Sequence, residues 1–125
     1  MKEIIKTKNA PAPIGPYNQA VKVGNTLYVS GQIPMDPATN TIVSGSIAEE
    51  TKMVMKNLKA ILDEAGMDFS HVVKCTIFII DINDFAVINE VYGESFGDDA
   101  PARETVQVSR LPKDVNVEIS CIAVS

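Results

Sequence analysis

Apolar positions recur along the chain with two periods. Ile47, Val54, Leu58, Ile61, Leu62 and Ala65 fall at helical spacing and predict an α-helix. Ser46-Ile47-Ala48-Glu49 reads as a capping box at its start, and Gly66 as its stop. Residues Val72 to Ile80 alternate instead: Val73, Cys75, Ile77 and Ile79 face one way, Lys74, Thr76, Phe78 and Ile80 the other. Asp84 is expected to cap a second helix, with Phe85, Ile88, Tyr92 and Phe96 as its stripe and Asn89 at the stripe's edge. Near the N-terminus, Tyr17–Val23 and Thr26–Ser30 flank Gly24-Asn25 and predict a hairpin, with a short segment Thr41–Val43 beyond a second turn. Two strands close the chain, Arg103–Val108 and Val115–Val124. In the last, Val115, Val117, Ile119, Cys121 and Ala123 form an apolar face opposite Asn116, Glu118 and Ser120.

The order hairpin, helix, strand, helix, strand, strand predicts an α+β domain with two helices on one sheet face. The opposite face is expected to carry Tyr28, Ser30, Lys74, Thr76, Phe78, Arg103, Thr105, Glu118 and Ser120. That mixture is too apolar for a freely solvated sheet and too polar for a core. It suggests a subunit interface in a closed symmetric oligomer.

Composition narrows the chemistry. The length of 125 residues allows one domain, 1–125. A net charge of -5 and a pI near 4.7 disfavour nucleic acid and anionic membranes as partners. The single histidine, His71, excludes a multi-histidine zinc site or a histidine pair and reads as a cap at a strand entrance. Cys75 and Cys121 lie far apart without a CxxC and belong to the core face. No apolar run suits a signal peptide or a membrane span, so a cytoplasmic protein is expected. Neither GxGxxG nor GxxxxGK[ST] occurs.

Catalysis is left to Arg, Glu, Asp, Tyr, Ser, Asn or backbone groups. Arg103, after Pro101-Ala102 at a strand entrance, offers a guanidinium fork that matches a carboxylate. Glu118, if partly buried, has a raised pKa and can exchange protons with water near neutrality. Tyr17 follows Gly15-Pro16, and Ser30 precedes Gly31 without the pattern of a nucleophile elbow.

Several blocks resemble a known family across essentially the whole chain. They are Gly15-Pro16-Tyr17, Tyr28 to Pro34, Pro101-Ala102-Arg103, Ser109 to Asp114, and Val117-Glu118-Ile119. The resemblance is to the reactive intermediate (enamine/imine) deaminases, the Rid family, also called L-PSP endoribonucleases or translation inhibitors. It implies a chorismate-mutase-like α+β fold assembled as a homotrimer, with sites between subunits and neither metal nor organic cofactor. It further implies that Arg103 holds a substrate carboxylate, that Glu118 handles protons with help from Tyr17, and that Ser30, Gly31, Asn89 and the Thr105 position line the pocket. Thr105 stands where such proteins often have Cys, so only a backbone contact carries over there, and Glu104 replaces a small residue. The implied activity is hydrolysis of 2-iminobutanoate or 2-iminopropanoate to a 2-oxo acid and ammonia. RNA cleavage with translation inhibition, and non-catalytic binding of small carboxylates, are the alternatives. The acidic pI and the lack of an aromatic–basic stripe weigh against RNA.

Overall fold

The computed structural model describes Met1–Ser125. Six strands form one mixed sheet: β1 (Lys2–Ile5), β2 (Ala20–Val23), β3 (Thr26–Gln32), β6 (Val72–Ile79), β7 (Ala102–Gln107) and β8 (Val117–Val124). Their spatial order is β1-β2-β3-β8-β6-β7, antiparallel except for the parallel pair β6–β7. A separate ribbon joins β4 (Met35–Asp36) to β5 (Thr41–Ile42). The helices are α1 (Ile47–Glu64) and α2 (Phe85–Gly93); α2 lies in the crossover between the two parallel strands.

Helix α1 begins where the Ser46 side chain accepts a hydrogen bond from the Glu49 amide at 3.2 Å. Only the serine half of the expected capping box forms, because the Glu49 carboxylate lies over Gly45. At the other end Gly66 takes φ +72°, and the Met67 amide reaches back to the Leu62 carbonyl at 2.9 Å. A side chain at Gly66 would resist that left-handed turn.

The α1 stripe of Val54, Leu58, Ile61 and Leu62 buries against Leu27, Val29, Ile77, Val117 and Ile119 of the sheet. Each such side chain contributes about 1.5–3 kcal/mol. A one-residue slip of a strand would turn these side chains toward solvent, so burial sets the register. Cys75 and Cys121 stand directly opposite one another in this core. Burial pushes both thiols up, Cys121 to about 12, which keeps them protonated.

The structure departs from the sequence expectations in several places. The N-terminus adds an edge strand, β1, and the segment before Ala20 is loop rather than strand. A register shift between Val72 and Lys74 reverses the phase of β6 at its start, so Val72 is buried and Val73 exposed. Asp84 makes no side-chain cap; Asp81 does, accepting from the Asn83 amide at 2.9 Å and starting a 3-10 turn ahead of α2.

Strand β7 turns its faces opposite to the expectation. Arg103 stands opposite Cys75 and Thr105 opposite Ile77, and partners in a parallel ladder project to one face. Arg103 and Thr105 therefore lie on the helix side, not on the open face with Glu118. The open face carries apolar residues of its own, Tyr28, Phe78, Val106 and Ile122 among them. Apolarity in β7 was consequently no guide to which side faced the helices.

Candidate functional site

The predicted residues gather into two separate groups. The first is built on β7 and α2. Phe85, Asn89 and Tyr92 sit at spacing i, i+4 and i+7, which puts them on one stripe of α2. The Arg103 guanidinium carbon lies 4.9 Å from the centre of the Tyr92 ring and 5.6 Å from that of Phe85. The contact is electrostatic, cation over ring face. Phe85, expected in the core, is instead 39% exposed beside this arginine. Arg103 takes part in none of the chain's ion pairs. On the same strand face the Thr105 hydroxyl is buried without a hydrogen-bond partner. Tyr92 also buries its hydroxyl, without a hydrogen-bond partner, and burial pushes its pKa far above the ordinary tyrosine value.

The second group lies around a β-bulge. Val29 pairs with Cys121 but Gln32 with Ile119, so Ser30 and Gly31 together oppose Ser120. Glu118 projects from β8 on the Phe78 side of the sheet and folds back over the bulge. A Cβ on Gly31 would lie 2.5 Å from Glu118 Oε2 and 2.7 Å from its Cδ, so only glycine leaves room for this carboxylate. Glu118 is half-buried, and desolvation raises its pKa above the usual carboxylate value.

Ser30 has its hydroxyl committed, donating to the Asn18 carbonyl at 2.6 Å. Tyr17 stands 47% exposed at the rim of a small cleft shared with Gly31, Ile14 and Ile33. Its hydroxyl accepts from the Ile14 amide at 3.2 Å.

Two positioning residues had no motif to reveal them. Gln19 is buried, and its amide nitrogen donates to the carbonyls of Thr7, Ala10 and Pro11 at 2.9–3.1 Å. Its oxygen accepts from the Thr7 amide at 2.7 Å. It thereby ties down the Pro-rich loop leading to Tyr17. The available signal was a loop whose prolines cannot donate, leaving carbonyls in need of a donor. Glu50, also buried, accepts from the backbone and side-chain amides of Asn116 at 3.2 and 2.8 Å. That bond anchors the entrance of β8 two residues before Glu118.

The Ser109–Asp114 motif forms the turn into β8. Lys113 and Asp114 both take φ +56°, and Arg110 grips Asp114 through Nε at 2.8 Å. His71 is a cap, as expected: its Nδ1 accepts from the Asp68 amide at 3.0 Å. Glu104 points away from Arg103 and pairs with Lys74 at 3.0 Å. The two largest depressions, of about 580 and 480 Å³, lie beside Lys8 and Pro37 and include neither Arg103 nor Glu118.

The family model for Endoribonuclease L-PSP matches residues 7–125. The chain belongs to this L-PSP/Rid family. A RutC family protein of Pyrococcus abyssi is 59% identical over 122 residues, spanning 98% of this chain and 96% of its own. A human relative named 2-iminobutanoate/2-iminopropanoate deaminase is 48% identical over 124 residues, covering 99% of this chain and 90% of its own. A crystal structure of a Thermotoga maritima protein superposes with a TM-score of 0.98 at 50% identity, covering 100% of this chain and 98% of that one. The mixed sheet with two helices is thus the fold of L-PSP/Rid structures.

Proposed function

We propose that this L-PSP/Rid protein hydrolyses 2-imino acids, or their enamine tautomers, to 2-oxo acids and ammonia. The observation that carries the reading is the state of Arg103. In a chain with 16 acidic residues its half-buried guanidinium has no carboxylate partner. An unpaired fork of this kind fits a small substrate carboxylate. The human relative's name points to the same class of substrate.

The active unit is a homotrimer of the 1–125 domain. Arg103 and Glu118 leave opposite faces of one sheet, so the substrate bound by Arg103 meets the Glu118 of a neighbouring subunit. The open face with exposed Tyr28 and Val106 offers the contact surface. Arg103 orients the substrate, with Asn89 and Thr105 beside it. Glu118 polarises a water that attacks the protonated imine carbon, Tyr17 assists from the loop, and the carbinolamine expels ammonia. Ser30 and Gly31 shape the floor under Glu118. Free imines already hydrolyse in water, so positioning plus one proton-transfer group, about 10²–10⁴-fold for the latter, is sufficient. In this reading the reaction runs in the cytoplasm and needs neither nucleic acid nor membrane.

The test generates 2-iminobutanoate with a threonine dehydratase in the presence of semicarbazide. Added protein is expected to divert imine from the trap to 2-oxobutanoate, and Arg103→Ala to lose the effect while keeping the oligomer. No diversion by the wild-type protein would refute the deaminase reading.

A further inference from the structure

We infer that Phe85 and Tyr92 form an aromatic clamp that positions Arg103 for a carboxylate ligand. The inference rests on the proposed function for the ligand's identity, but not for the clamp itself. A half-buried arginine is ordinarily oriented by an acidic partner, and such a partner would neutralise the charge that a ligand needs. Here the guanidinium lies 4.9 Å from the Tyr92 ring centre and 5.6 Å from that of Phe85, with no ion pair. Ring faces orient the cation electrostatically yet leave its five donors and its net charge available.

The geometry explains two features that core packing does not. Phe85 remains 39% exposed at the start of α2, where its ring meets the arginine. Tyr92 is 5% exposed and turns its hydroxyl inward toward Cys75 without a well-formed hydrogen bond, so its ring, not its hydroxyl, faces Arg103. Phe85 and Tyr92 are therefore positioning residues that act on the ligand through Arg103.

The chain has two arginines, Arg103 and Arg110, and Arg110 is an exposed partner of Asp114. This makes the Arg103 side-chain Nε–Hε resonance assignable by Arg110→Lys. In the wild type it is expected upfield, shifted by the ring currents. Phe85→Leu should move it toward the position of a free arginine and weaken 2-oxobutanoate binding about three- to tenfold. In the imine assay KM should rise by the same factor, with kcat changing by less than about twofold. Tyr92→Leu should act likewise, and Tyr92→Phe, which restores the ring without the hydroxyl, should recover both resonance and affinity.

If Phe85→Leu lowers the melting temperature but leaves the resonance and the affinity where they were, the rings merely pack and the clamp is wrong. Failure of the deaminase reading looks different. A wild-type protein that binds 2-oxobutanoate without hydrolysing imine would refute the reaction, and the clamp would still be judged by affinity and resonance. A protein that binds no 2-oxo acid would refute the ligand, and the resonance alone would decide.

Discussion

Arg103 and Glu118 project from opposite faces of the same sheet. Arg103 shares the side of Cys75 across the β6–β7 ladder, and Glu118 the side of Phe78 across β6–β8. The sheet itself lies between the two side chains within one chain. The proposed reaction, which uses both, therefore takes them from two copies of the chain.

This separation gives a test by complementation. Arg103→Ala and Glu118→Ala proteins should each be inactive. Unfolded together in equal amounts and refolded, they should regain activity, because about a quarter of the inter-subunit sites then combine an intact Arg103 with an intact Glu118. Absence of recovery in a co-refolded mixture that forms oligomers would mean that one chain supplies both groups.

Glu118 should set a pH limb. Its pKa is raised by burial, so it keeps its proton to higher pH than an ordinary glutamate. In the proposed reaction it accepts a proton from water and works when ionised, so kcat/KM should fall with decreasing pH through a pKa above the usual glutamate value. The sign for stability is the reverse: burial of the charged form costs folding energy, so this group's contribution is lost as pH rises through its folded pKa. Glu118→Gln should remove the limb and raise the melting temperature at neutral pH, with the gain vanishing in acid.

Gly31→Ala probes the bulge. Its new Cβ would fall 2.5 Å from Glu118 Oε2, and the carboxylate, at the end of a flexible side chain, would swing aside. The expected result is a drop in kcat/KM of about 10²-fold from misplacement. Chemical denaturation should show a much smaller effect on folding stability.

Gln19→Ala tests the loop anchor. Four hydrogen bonds disappear, leaving the Thr7 amide and the Thr7, Ala10 and Pro11 carbonyls without this partner. The loss should be about 3 kcal/mol in denaturant unfolding. Hydrogen exchange at the Thr7 amide should accelerate.

Much of this molecule was legible in the order of its residues. The α1 stripe, the alternation from Cys75 to Ile79 and the apolar face of β8 are local periodicities, and burial enforces them. Gly66 and Ser46 mark helix ends because caps are chemical needs of the nearest turn. The residue types left for chemistry could also be counted, which led to Arg103, Glu118 and Tyr17.

Tertiary structure alone decided where those residues stand. β7 alternates Arg103, Thr105 and Gln107 with Glu104 and Val106, a pattern that fits either orientation of the strand. Its parallel register with β6, reached through α2, chose the helix side for Arg103. The bulge at Ser30–Gly31, the reach of Gln19 to the Pro-rich loop and the rings beneath Arg103 are likewise relations between distant segments. Periodicity tells which residues of one element share a face. Only pairing between elements determines which face that is, and on that choice rests whether Arg103 and Glu118 can meet within a single chain.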